Sequence, residues 1–163
     1  MEVNGLPLHP LVVHAVVVLT PLSALCGLAY AAVPRWRWLL RWPLVLLTLA
    51  ATGAAVVAAS AGESLLEARP GLEDLPAIET HEEAGELLRN ILFLDLLVVA
   101  VSAWWLGGPS ALASGKGARR QRGGLDLAVA AVLVVASVVV LYAAYAAGDS
   151  GARAVWGLSL IHI

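Results

Sequence analysis

The sequence predicts an all-α fold, a four-helix transmembrane bundle with both termini on the non-cytoplasmic side. Of its 163 residues, 60% are hydrophobic and only 13% are charged, a composition too apolar for one soluble core of this size. Four apolar stretches have the length of about 20 residues that crosses about 30 Å of hydrocarbon. Clusters of basic residues between these stretches indicate the orientation.

Each apolar stretch predicts one helix. Backbone polar groups in hydrocarbon must bond within their own segment, so even Val-rich runs are expected to be helical. Pro21 is expected to kink the first helix, because proline breaks the backbone hydrogen bonding of a helix interior. The helices are predicted over Pro10–Val33, Pro43–Ala61, Leu87–Leu106 and Leu125–Ala147, within a single domain of residues 1–157.

The charges in the connections set the topology. The first and third connections hold the basic residues, and the second is acidic apart from Arg69. Basic loops stay in the cytoplasm, so the second connection and both termini are predicted outside. The basic residues are Arg35, Arg37, Arg41, Lys116, Arg119, Arg120 and Arg122.

Two features of the chain concern where elements begin and end. Thr80 and Glu83 have the spacing of a capping box, which predicts that the third helix starts near His81. The terminal Leu158–Ile163 resembles the translated mosaic end of a sequencing adapter, so we expect residues 158–163 to be an artefact and the natural C terminus to be longer. The alternative for this segment is an ordinary apolar tail.

Three histidines remain as candidate ligands when the terminal segment is set aside. His9 and His14 lie at the outer end of the first helix, and His81 lies at the outer start of the third. A five-residue offset puts His9 and His14 about 140° apart around a helix, so both cannot face the centre. His9 precedes Pro10 and is expected outside the regular helix, which leaves His14 and His81 as the predicted pair.

Two imidazoles from separate helices suit the axial positions of one b-type haem. With carboxylates they suit a transition-metal ion instead. The predicted cofactor-binding residues are His14, His81 and His9; the predicted metal ligands are His14, His81, Glu63 and Asp149. The alternative is that these histidines only form hydrogen bonds at the membrane interface.

Asp95 lies inside the third apolar stretch without a charged residue three or four positions away. An intramembrane carboxyl is costly unless it is neutral, paired or hydrated. One hypothesis is a proton or ion pathway centred on Asp95. The other is a hydrogen bond to another helix, from Ser23, Thr48, Thr52 or Ser137.

Four strings resemble a bacterial membrane-protein family catalogued as domain of unknown function 2231. They are Leu8–His14, Ser60–Glu63, His81–Gly85 and Gly148–Trp156. The resemblance implies a place in the bacterial inner (plasma) membrane, as a multi-pass protein. Relatives often occur with Rieske or cytochrome c modules, which favours a redox role by association. Asp149 stands where the resemblance leads us to expect a histidine.

The sequence therefore predicts a small integral membrane protein with an outer-side histidine and carboxylate cluster, which holds haem or a metal ion and transfers electrons. The alternatives are a non-catalytic membrane scaffold or accessory subunit, and a conducting module at Asp95. No catalytic residue is predicted. The expected partners are the lipid bilayer and redox proteins; a net charge of −2 argues against nucleic acid.

The topology can be tested by thiol labelling of intact cells, with Cys26 replaced by alanine. A cysteine introduced within Gly71–Glu79 should react with a membrane-impermeant reagent, because this acidic connection is expected outside. One within Ser114–Gly123 should react only after the membrane is permeabilised, because basic loops face the cytoplasm. The reverse labelling would contradict the orientation.

Overall fold

The computed structural model describes residues 2–3, 6–69, 71, 74–107 and 123–159, with side chains only between Leu8 and Trp156. The described helices are α1 (Leu8–Ala32), α2 (Arg37–Glu67), α3 (Pro76–Leu106) and α4 (Gly124–Ser159). A short 3-10 turn, Pro34–Trp36, joins α1 to α2. Two-residue strands β1 (Glu2–Val3) and β2 (Leu6–Pro7) pair antiparallel ahead of α1.

Within the described residues, four helices are long and apolar enough to cross a membrane, which confirms the predicted all-α, four-helix bundle; the orientation of the termini stays a prediction. Each helix packs on the next along the chain, and α4 closes the ring by packing on α1. The diagonal pairs are therefore α1 with α3 and α2 with α4. Large apolar side chains cover the outside of every helix, as for Val18, Leu46, Leu94 and Val135, which suits lipid as the surrounding solvent.

The bundle has two chemically different ends. At the histidine end, defined by His9 and His81, α1 and α3 begin and α2 and α4 finish. At the arginine end, Arg37 donates through Nε to Tyr30 O at 3.0 Å. The Trp105 indole there donates to Asp126 Oδ1 at 2.9 Å, which joins α3 to α4.

The helices begin and end differently from the predicted spans. The predicted capping box is wrong, because α3 starts at Pro76 and Thr80 Oγ1 donates back to Pro76 O at 2.8 Å inside the helix. Proline suits the first turn of a helix, where its missing N–H is not needed. The described α1 also runs through Pro21 as a single helix. Residues 108–122 and 160–163 lie outside the described part of the chain, so the predictions on the third connection and the terminal tail stay predictions.

The described core divides along the bundle into two apolar clusters. The upper cluster, nearer the histidine end, includes Val16, Ala55, Leu88 and Val140. The lower cluster, nearer the arginine end, includes Tyr30, Leu44, Val99 and Leu133. Small residues allow the backbones to approach closely between these layers, as Gly27 does beside Ser137.

Gly27 and Gly53 provide a matched test of this close packing. A Cβ at Gly27 would lie 2.5 Å from Ser137 Oγ, whereas a Cβ at Gly53 would meet nothing within 4 Å. Gly27→Leu should therefore lower the free energy of unfolding by about 1–3 kcal/mol through overpacking, and Gly53→Leu should change it far less. Unfolding of both variants in detergent would check this, and equal destabilisation would contradict the packing.

Candidate functional site

His9 belongs to α1 and faces the interior of the bundle. It is the second residue of the helix, because Pro10 is tolerated in the first turn and α1 begins before it. The His9 Nδ1 atom lies 2.8 Å from Ala58 O on α2. One turn further along α2, a Cβ at Gly62 would come within 3.1 Å of His9 Nδ1, so only glycine leaves the full space for this ring.

His81 is held against α4 in a similar way. Its Nδ1 atom lies 3.1 Å from Ser150 Oγ. A Cβ at the neighbouring Gly151 would come within 2.9 Å of His81 Cε1. Each histidine is therefore bound and packed by the last turns of the helix that follows it in the chain.

The two contacts favour one protonation state for each neutral imidazole. A backbone carbonyl only accepts, so His9 Nδ1 donates to Ala58 O. Ser150 has a single hydroxyl hydrogen and lies 3.0 Å from Ala147 O, so its oxygen accepts from His81 Nδ1 whenever that hydrogen bonds the carbonyl. Since a neutral imidazole has one donor and one acceptor nitrogen, both Nε2 atoms keep their lone pairs.

The two rings meet across the diagonal of the bundle. The His9 and His81 ring centroids are 6.1 Å apart, and the ring planes are inclined at 78°. The predicted pairing of His14 with His81 is wrong, because His14 is exposed and its Nδ1 lies 2.6 Å from Pro10 O of its own helix. The prediction that only one of His9 and His14 faces inward is confirmed, but the inward residue is His9.

The predicted carboxylates do not join the histidines as one metal site. Asp149 accepts from Arg153 Nε at 2.9 Å, on an exposed face of α4. Glu63 is exposed, although it lines the same cavity as the histidines. Among the described residues, no three His, Cys, Asp or Glu side chains lie close enough together to hold a metal ion.

A cavity of about 320 Å³ lies at the histidine end. Its wall is mainly apolar, and His9 and His81 are its inward polar groups. Four charged residues also line it: Glu63, Glu82, Glu86 and Arg89. A Cβ at Gly85 or Gly148, which also line the cavity, would meet nothing within 4 Å. The site thus combines two imidazoles with an apolar space of the size of small-ligand pockets.

A family comparison covers almost the whole chain. Residues 5–161 match the family described as predicted membrane protein (DUF2231). The chain belongs to this family. No curated protein and no solved structure matches this DUF2231 chain.

Sequence reasoning missed the residues that hold the two rings, namely Gly62, Ser150 and Gly151. The strings Ser60–Glu63 and Gly148–Trp156 contain them and are part of the DUF2231 resemblance. A signal therefore existed in the pairing of each histidine with a small-residue string at the end of the following helix. Their role in contacting the imidazoles depends on helix rotation, which the strings do not show.

The protonation pattern of the imidazoles is testable by ¹⁵N NMR of selectively labelled protein in detergent. At a pH where the rings are neutral, His9 and His81 should both give the signals of the Nδ1–H tautomer. Ser150→Ala should alter the His81 signals and leave those of His9 unchanged, because the serine contacts only His81. An Nε2–H tautomer at either ring would contradict the proposed donor roles.

Proposed function

We propose that His9 and His81 are the axial ligands of one b-type haem, and that the protein is an electron-transfer subunit of the membrane. The observation that carries this proposal is the orientation of the two rings. Both Nδ1 atoms donate to helix acceptors, so both Nε2 atoms are available to a metal. Metal-binding histidines are held in this manner, with the second nitrogen fixed by a hydrogen bond.

The number of protein ligands favours haem over a bare ion. A structural or catalytic zinc site takes three or four protein ligands, and among the described residues no group of three suitable side chains forms. A haem iron already has four porphyrin nitrogens and needs only two imidazoles from the protein. Haem iron bound in this way would supply reversible one-electron transfer.

The surroundings of the rings also fit this group. The cavity wall is mainly apolar, as the macrocycle requires, and Arg89 lines it. The Arg89 guanidinium lies 3.4 Å from a carboxylate oxygen of Glu86, a longer distance than in a strong charge-assisted hydrogen bond. The guanidinium can therefore also bind a carboxylate substituent of the ligand. The His9 and His81 ring centroids are 6.1 Å apart, so both imidazoles could contact one bridging group, although edge-to-face packing of aromatic rings has similar spacing.

We further propose that the histidine end faces outward from the bacterial plasma membrane, where it would meet a redox protein. The support is the charge pattern, with basic residues such as Arg35 and Arg41 at the opposite end. A conducting role for Asp95 is a separate hypothesis. The scaffold alternative predicts that the same histidines form only packing contacts.

The haem proposal can be tested with full-length protein purified in detergent from cells supplied with haem precursor. The wild type should show the sharp Soret and α bands of a six-coordinate haem upon reduction. His9→Ala and His81→Ala should each lose these bands, because each removes one axial ligand. His14→Ala is the matched control and should keep the wild-type spectrum, since His14 is exposed.

A second variant tests the positioning of His81. Ser150→Ala removes the acceptor of its Nδ1 and should weaken cofactor binding by about 10–100-fold, as loss of such supporting contacts does at metal sites.

Wild-type protein that purifies with neither haem nor a metal under these conditions would contradict the haem proposal and favour the scaffold alternative. Metal analysis that finds an ion without porphyrin would select the ion instead.

A further inference from the structure

The first two helices, α1 and α2, correspond in structure to the last two, α3 and α4, although the sequence shows no obvious repeat. His81 follows His9 by 72 residues, and Gly151 follows Gly62 by 89 residues. The same offsets relate most of the other buried positions of α1 to those of α3, and of α2 to those of α4; the exceptions are Ala24, Thr52 and Ala55, which correspond to half-buried residues. Corresponding buried pairs are Val16 and Leu88, Thr20 and Leu92, Tyr30 and Ser102, Leu44 and Leu133, Ala51 and Val140, and Ala58 and Ala147.

This equivalence has the geometry of a two-fold repeat. It exchanges α1 with α3 and α2 with α4, which are the diagonal pairs of the bundle. The axis therefore runs lengthwise through the centre of the bundle and passes between His9 and His81. Parallel repeats of this kind, related by an axis along the membrane normal, occur in membrane proteins.

A second set of polar residues follows the same symmetry deeper in the bundle. Ser23 and Asp95 each lie 14 residues from the histidine of their own helix, and Thr48 and Ser137 each lie 14 residues from the glycine of theirs. Fourteen residues correspond to about 21 Å and nearly four turns, so all four lie at a similar depth and face inward. Their exposed fractions are between 0% and 3%.

This polar layer, formed by Ser23, Thr48, Asp95 and Ser137, separates the two core clusters on three helices. Thr48 lies between Leu44 and Ala51, Asp95 between Leu92 and Val99, and Ser137 between Leu133 and Val140. A carboxyl and three hydroxyl groups therefore occupy one level of the interior, which also buries the hydroxyls of Thr20, Thr52 and Ser102 at other levels. Polar groups at such a depth are expensive and are functional candidates for that reason.

The layer is rich in acceptors and poor in donors. Ser23 Oγ donates to Thr20 O at 2.8 Å, and Thr48 Oγ1 donates to Leu44 O at 2.9 Å. Each hydroxyl has one hydrogen, so these oxygens present only lone pairs to the interior. Asp95 Oδ1 is buried and has no hydrogen-bond partner among the described residues, and the predicted hydrogen bond from a neighbouring hydroxyl to that oxygen is absent there.

We propose that this layer binds one small monovalent cation such as Na⁺, with the Asp95 carboxylate as the charged ligand and the hydroxyl oxygens as neutral ligands. Hard cations take oxygen ligands. A single positive charge neutralises the single carboxylate, whereas a divalent ion would leave a net charge buried in hydrocarbon. The site is independent of the haem proposal, because it lies about 21 Å from the histidines.

The test is thermal unfolding of the full-length protein in detergent at pH 8, in NaCl, KCl or choline chloride of equal ionic strength. The wild type should show a saturable rise in Tm of several degrees with Na⁺ over choline, since a ligand that binds only the folded state stabilises it. Asp95→Asn should lose this rise. The double swap Ser23→Asp with Asp95→Ser should keep it, because the repeat makes the two positions equivalent.

Several results would overturn the proposal. Equal Tm values of the wild type in the three salts would exclude a cation site, and a Tm that responds only to acidification would show that Asp95 takes up a proton instead. A Na⁺ effect retained in Asp95→Asn would place the ion elsewhere. If the double swap fails to fold, the comparison of wild type with Asp95→Asn still decides the cation site.

Discussion

Hydroxyl groups that donate to carbonyls of their own helix determine the chemistry of the histidine end and of the polar layer. A backbone in hydrocarbon has no water to bond, and serine and threonine satisfy their hydrogens locally at the i−3 or i−4 carbonyl. Ser150 bonds Ala147 O in this way and is thereby left as an acceptor for His81. Ser23 and Thr48 do the same deeper in the bundle, which leaves acceptor oxygens at the level of Asp95.

Small residues let the imidazole rings and the helices come close enough to make these contacts. Gly62 and Gly151 leave no side-chain atoms where the imidazoles lie, so each ring reaches the helix beyond it and is fixed by one hydrogen bond. Elsewhere, alanines such as Ala51 and Ala58 keep α2 close to its neighbours. Close helix approach in lipid depends on such residues, because lipid-facing leucine and valine gain little by transferring to another apolar surface.

The sequence predicted the class of fold because hydrocarbon leaves few options for a run of about 20 apolar residues. It misplaced the start of α1, since Pro10 looks like a breaker but is favourable in a first turn. His14 was preferred to His9 for that reason. The sequence misplaced the start of α3, since Thr80 and Glu83 have the spacing of a capping box but lie inside the helix. The repeat was hidden because the connections differ in length, so α1 and α3 are offset by 72 residues but α2 and α4 by 89. Hydrogen-bond direction and tautomer depend on contacts between helices, which no local pattern contains.

The division of the site between two hairpins has a consequence for biogenesis. His9 meets its supporting residues Ala58 and Gly62 within the first hairpin, so that half is complete once α2 has entered the membrane. His81 depends on Ser150, close to the end of α4. The ribosome must therefore synthesise both hairpins, as far as Ser150 of α4, before both rings are in place. A ligand that bridges the two rings could bind only after that point.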